Sequence, residues 1–269
     1  MGNRILRIAL CLLGIVVFAL QCPVQVCAKK FTIVIDAGHG GKDKGALGTK
    51  SYEKDINLNV ALKFGKLIEQ KMSDVKVVYT RDSDVFLTLQ QRADISNKAS
   101  ADLFVSIHTN SIDEKTKGRT TVCGASTYVL GLHRSEENVL VATRENSVIE
   151  LEHNKEVYKD FDPNSDESYI IYEITQGQNL DKSIAFATLA QEQMVSQASR
   201  VDKGVRQAGF YVLAKTYSPS VLVELDYICN PDSEHFLTSD EGSDKLAKSL
   251  FDAFKSYKST QDSRQKAAK

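Results

Sequence analysis

Four side chains stand where they could do chemistry together: His39, Glu53, His108 and Glu224. His39 lies in the glycine-dense stretch Gly38-His-Gly-Gly-Lys-Asp-Lys-Gly45, directly behind an apolar, β-rich run that begins at Thr32. Glu53 follows 14 residues later, His108 closes the run from Asp102, and Glu224 closes Val221-Leu-Val. Two neutral imidazoles and a carboxylate are a donor set for hydrolytic zinc, which takes three protein ligands and keeps one position open. Such a centre acidifies water and polarises a carbonyl. A further carboxylate must accept and return the proton, and Glu224 is the candidate. An idle charge at the end of so apolar a strand would be costly to bury. His and Glu donors also suit manganese or iron.

Three apolar strands ending in His, His and Glu predict one rim of one sheet. The elements between them fit. Asp55 to Met72 carries Ile56, Val60, Phe64, Leu67 and Ile68 at helical spacing, Val75 to Thr80 reads as a strand, Leu87 to Ala101 as a helix, and Leu103 to Ile107 as a strand. That alternation predicts an α/β fold: an open, mostly parallel twisted sheet with helices on both faces, as a single domain. Ligands collect beyond the carboxyl ends of such strands. Further on, Thr121 to Leu130 reads as a strand, and 133–180 as an inserted segment with a charged helical stretch to about Glu152 and a polar part around Pro163. Asn179 to Ser199 is expected to be a helix, Gly209 to Ala214 and Val221 to Leu225 strands, Asp244 to Tyr257 a closing helix, and 258–269 a frayed polar tail. Asp36 either orients His39 or caps the glycine turn, and Arg92 reads as a structural ion-pair partner. His133, His153 and His235 fall in polar contexts and read as surface residues. The glycines of the loop hold no Gly-x-Gly-x-x-Gly frame and no Gly-Lys-Ser/Thr, which excludes a nucleotide loop.

The 269 residues, 42% hydrophobic and 26% charged, suit a globular domain with a sizeable core. A formal net charge of -1 offers no basic surface for nucleic acid. Residues 1–28 differ: Arg4 and Arg7 precede the apolar run Ile8 to Leu20, and Val26-Cys-Ala28 forms a small-residue cleavage pattern. The layout is that of an export signal, too short to span a membrane, with a retained anchor as the competing reading. Cleavage would leave two of the five cysteines, Cys123 and Cys229, in a compartment that permits a disulfide. With no CxxC, a cysteine zinc site is not expected.

Ile35-Asp-Ala-Gly-His-Gly-Gly-Lys-Asp-Lys-Gly-Ala, Glu53, Ser106-Ile-His-Thr-Asn110 and Val221-Leu-Val-Glu224 with Cys229-Asn230 resemble, in this order, the zinc-dependent N-acetylmuramoyl-L-alanine amidases, the type-3 cell-wall amidases. The resemblance spans roughly 31–257. It implies that His39, Glu53 and His108 hold one zinc ion, that Glu224 is catalytic, and that the substrate is the amide joining N-acetylmuramic acid to L-alanine in peptidoglycan. An exported, periplasmic or envelope-associated monomer fits that substrate. Lys44 replaces a proline common in relatives, and Leu225-Asp226 a smaller pair; neither removes a ligand. Division-associated members carry an inserted helix whose glutamate reaches the zinc until an activator protein displaces it. The resemblance points to Arg144-Glu145-Asn146 as that helix and Glu145 as its plug, with Glu150 and Glu152 behind it. The competing functions are a zinc carboxypeptidase on the stem peptide and an inactive wall-binding regulator.

Overall fold

The computed structural model describes residues 29–132, 135–159, 161 and 165–267. The export signal at 1–28 and His133 lie outside the described residues. Six strands form one sheet in the order β2-β1-β3-β6-β4-β5: β1 (Phe31–Ala37), β2 (Val75–Tyr79), β3 (Leu103–Asn110), β4 (Ala125–Leu130), β5 (Asp202–Ala208) and β6 (Ser220–Tyr227). The run β2, β1, β3 and β6 is parallel, β4 joins β6 antiparallel, and β5 pairs with β4 in parallel. This is the mostly parallel α/β sheet that the sequence predicts.

Period two along the strands sorts the side chains onto two faces. Ile33, Ile35, Val105, Ile107, Val221 and Val223 pack against helices α1 (Glu53–Lys71), α4 (Asp166–Ser196) and α7 (Asp240–Ala267). Val34, Phe104, Tyr128 and Leu222 pack on the other face, beneath α2 (Leu89–Lys98), α3 (Glu136–Asn146) and the short α5 (Tyr211–Ala214). The parity that buries Phe104 and Leu222 also puts His108 and Glu224 on that second face, side by side in register. Residues from Phe31 onward form one compact unit.

Several boundaries differ from expectation. Tyr211–Ala214 is a buried helical turn, not a strand, and the strand lies earlier, at Asp202–Ala208. That strand is at the sheet's edge and partly exposed, so its sequence is polar and hides the usual apolar signal. Helix α4 begins at Asp166 rather than Asn179 and runs through Gly177, whose cost of about 1 kcal/mol in a helix is small beside 31 residues of helix. The expected frayed tail instead continues α7 to Ala267, where Lys258 pairs with Asp74 and Asp262 at 2.5 and 2.7 Å. Cys123 and Cys229 are both free thiols.

The loop between His39 and Glu53 hangs on α6 (Pro231–Thr238). Glu234 accepts from the backbone amides of Thr49, Lys50 and Ser51 and from both hydroxyls. Burial opposes its charge, but the Ser51 and Thr49 hydroxyls and the backbone amides bring its pKa down to about 2. A folded-state value below the unfolded one gives stability that is present above the ordinary 4.5 and lost as pH falls toward 2. Glu234→Gln is therefore expected to lose about 1–2 kcal/mol at neutral pH once solvent screening is allowed for, with the deficit closing as pH falls. Thermal melts of parent and variant at pH 7 and pH 3 check this; a deficit unchanged with pH refutes it.

Candidate metal centre

The loop after β1 is shaped by close approach. A Cβ at Gly38 would lie 2.4 Å from the His108 ring, and one at Gly45 would lie 2.6 Å from His39 and 2.7 Å from Glu53, where φ is also positive. Only glycine lets backbone pass this near. His39 itself takes φ 61°, a conformation that must be held from outside. Two buried arginines hold it. Arg92 donates to the carbonyls of Ala37 and His39, and Arg81 to those of Ala37, Gly38 and Lys54. Arg92 also pairs with Asp36 at 2.7 Å, as its expected role as an ion-pair partner requires. Asp36, fully buried, is spent on Arg92, Thr80 and Ser106. It does not orient His39; Asp43 does, with Oδ2 2.8 Å from Nδ1.

His39, Glu53 and His108 come together, and Glu145 from the end of α3 joins them, all four buried. Their ligand atoms lie within 4.8 Å of one another. His39 Nε2 is 3.1 Å from Glu53 Oε1 and 3.1 Å from Glu145 Oε2, while His108 Nδ1 is 3.2 and 2.9 Å from the same two oxygens. Donors at about 2.0–2.1 Å around a tetrahedral ion stand roughly 3.3 Å apart, close to these edges. His39 Nε2 and Glu145 Oε2 have no hydrogen-bond partner among the described residues. Two imidazoles aimed at two buried carboxylate oxygens, with His39 Nε2 and Glu145 Oε2 left unpaired among the described residues, fit a cation at their midst.

The electrostatics agree. Burial alone would lower both histidines, yet Glu53 raises His39 well above its ordinary value, and Glu145 chiefly brings His108 up to about 9. Glu53 and Glu145 are held below the carboxylate range against burial, chiefly by His39 and Arg144 respectively. The site wants positive charge. Glu53 is fixed at the start of α1, accepting from Thr109 N, Asn57 Nδ2 and Ala46 N at 2.9, 3.1 and 2.8 Å. Such bonds set the carboxylate's direction.

Glu224 stands beside His108 but outside the cluster, fully buried, with neither oxygen hydrogen-bonded among the described residues. Burial first, then the charge of Glu145, pushes it up to about 8, with Arg144 opposing. Arg144 Nη2 lies 3.5 Å from Glu224 Oε1, and its other nitrogens reach Glu145 and the carbonyl of Ser111. Helix α3 is pinned at both ends: Ser135 caps it, and Asn146 bonds the carbonyl of Gly209 and the amide of Tyr211. Lys42 reaches from the glycine loop to the carbonyl of Leu151 at 2.6 Å. Glu150 points to solvent against Lys155, and Glu152 bonds Leu89 N and Tyr158, so neither reaches the cluster. His153 and His235 are exposed, as expected. The sequence reading missed Asp43, Arg81 and the contact of Arg144 with Glu224. Asp43, four residues from His39 in the same tight loop, was the one within reach of inspection.

A mostly parallel α/β sheet with a His/Glu cluster that could hold a metal ion toward the carboxyl ends of its strands, and a buried carboxylate beside it, is an arrangement found in metal-dependent hydrolases. The family model for N-acetylmuramoyl-L-alanine amidase matches residues 33–256, and the chain belongs to that family. Among curated relatives, it is 32% identical over 233 residues to the N-acetylmuramoyl-L-alanine amidase AmiC of Escherichia coli O6:H1, covering 85% of this chain and 53% of AmiC. It is 30% identical over 226 residues to the uncharacterized protein YqiI of Bacillus subtilis, covering 84% of each. The crystal structure of the N-acetylmuramoyl-L-alanine amidase from Clostridium difficile 630 matches with a TM-score of 0.63 at 27% identity, covering 86% of this chain and 97% of that one. The reaction that comes with the family is hydrolysis of the amide between N-acetylmuramic acid and L-alanine in peptidoglycan.

Proposed function

We propose that the chain is a zinc-dependent, exported amidase, held inactive by its own inserted helix until a partner protein withdraws it. The observation that carries this reading is Glu145 completing a four-donor cluster with His39, Glu53 and His108. In this reading those three residues hold the ion, and Glu145 occupies the position that substrate or water must take. The ion, when bound, would supply Lewis acidity toward the scissile carbonyl and a more acidic water. The chain's own residues do the rest. Asp43 fixes the His39 tautomer through Nδ1, leaving Nε2 to the ion. Glu224 takes the proton of the attacking water and returns it to the departing alanine nitrogen. Arg144 and Glu145 act as one block, the first lying against the base and the second in the ligand position.

Residues 1–28 as a cleaved export signal, and a role in wall remodelling or daughter-cell separation, belong to the same reading. Among the described residues no helix is long and apolar enough to cross a membrane. Purified chain loaded with zinc, and freed of the block by Glu145→Ala, is expected to release stem peptides with a free L-alanine amino terminus from peptidoglycan. A chelator should abolish release, and zinc should restore it. Release of terminal D-alanine alone would make the chain a carboxypeptidase, and binding to the wall without release would make it an inactive regulator.

A further inference from the structure

We propose that a second site, at the opposite end of the sheet, binds peptide-free glycan carrying lactyl carboxylates, the product of the chain's own reaction. A cavity of about 500 Å³ opens where β1, β3 and β6 begin, between α4 and the end of α7. From Asp102 at its wall to His108 is six residues of extended chain, about 20 Å at 3.3 Å per residue. The cavity is therefore separate from the metal centre.

Its lining has the chemistry of sugar-acid recognition. Tyr217 is 75% exposed, yet its backbone is fixed on both sides, its amide donating to Asn97 and its carbonyl accepting from Asn179. An aromatic ring held outward on an ordered backbone offers a flat apolar face with a polar tip. Beside it Ser218 is 6% exposed and, among the described residues, neither its hydroxyl nor Gln261 Nε2 has a hydrogen-bond partner. Buried polar groups left unsatisfied call for a ligand or water to complete them. Lys182 and Arg264 stand at the cavity without an ion pair among the described residues. The two lining carboxylates are already engaged, Asp102 by the amide of Thr32 and Asp262 by Lys258. The charges in the lining roughly balance, and Lys182 and Arg264 are the groups left to meet a carboxylate.

A ligand that matches has hydroxyl and amide groups, one apolar ring face and a carboxylate. Hydrolysis makes such a ligand: water's oxygen bonds the lactyl carbonyl carbon, the carbon–nitrogen bond breaks, and the alanine amine leaves with the proton. What stays on the sugar is a lactyl carboxylate. A strand still bearing peptide has that group masked as an amide. The second site would keep the enzyme on wall it has already stripped.

The inference rests on the hydrolysis assigned above, and binding without turnover tests it separately. Calorimetry would compare peptide-free glycan oligomers, neutral N-acetylglucosamine oligomers of equal length and free stem peptide, on the parent chain, Tyr217→Ala and Arg264→Glu. The expected result is preference for the carboxylate-bearing glycan, weakened about tenfold in both variants, which is 1.4 kcal/mol. On a Glu145→Ala background, turnover of a small soluble muropeptide should be unchanged by the same variants, and release from whole sacculi should fall. Variants that bind like the parent, or neutral oligomers or stem peptide that bind as tightly as the peptide-free glycan, overturn it. A chain that bound the glycan but cleaved nothing would fail the activity and keep the site.

Discussion

Glu224→Gln is expected to leave the chain folded and metal-loaded while lowering stem-peptide release by about 10²–10⁴-fold, the span of a lost general base. The substitution keeps shape and removes only the ability to take a proton. Glu224 lies in the middle of the buried strand β6, in register with His108, and among the described residues neither of its oxygens has a hydrogen-bond partner for the amide to disturb. It is not among the four residues whose donor atoms converge, so metal content should hold at one ion per chain. Elemental analysis and single-turnover hydrolysis, both on a Glu145→Ala background, separate the outcomes. Retained hydrolysis would move the proton transfer to another group. Loss of metal along with activity would make Glu224 a ligand instead.

How much of this was legible in the sequence depends on distance along the chain. The parallel core was readable because its strands are buried on both faces and appear as apolar runs, and because alternating helices force parallel order. His39 follows such a run, and His108 and Glu224 stand where the apolar residues of β3 and β6 give out, although both strands run on past them to Asn110 and Tyr227; the shared sheet brings these two into register. Glu53 was readable only as a carboxylate near the loop; its place depends on Gly45, which lets backbone pass against its side chain. What stayed hidden was set by contacts across long separations. Arg81 and Arg92 close on the carbonyls of a loop some 43 to 55 residues away, and although Arg92 was legible as an ion-pair partner, nothing local marks either as a clamp on that loop. The edge strand β5 was missed because exposure on one side removes the apolar signal, and the helical turn at Tyr211–Ala214 because four apolar residues read equally as strand. Asp36 had two readings, orienting His39 or capping the glycine turn, whereas the orienting contact is made by Asp43 through the curl of the loop. Glu145 entered through family resemblance alone, since a glutamate on a charged helix carries no mark of what it faces.

Glu145→Ala is expected to raise activity on peptidoglycan by about 10- to 100-fold without any partner protein. Glu145 is 4% exposed, its carboxylate set between two imidazoles and bonded to Arg144, and a tenfold to hundredfold rise corresponds to about 1.4–2.8 kcal/mol of inhibiting contact removed. The gain is held to that range because Arg144 is left without its partner and three donors bind an ion less tightly than four. The assay therefore needs zinc in excess. Arg144→Ala should act in the same direction and more weakly, since it frees Glu224 but leaves the carboxylate in place. The two substitutions also differ in pH dependence. Glu145 is the largest charge holding Glu224 up near 8, so its removal should shift the acid limb of the rate profile to lower pH, whereas removing Arg144, which opposes that rise, should shift it higher. A Glu145→Ala chain no more active than the parent, with metal bound in both, would show that α3 is a solvated wall of the cleft and that regulation, if any, enters elsewhere. A rise in activity without the shift in the acid limb would keep the plug and detach the base from it.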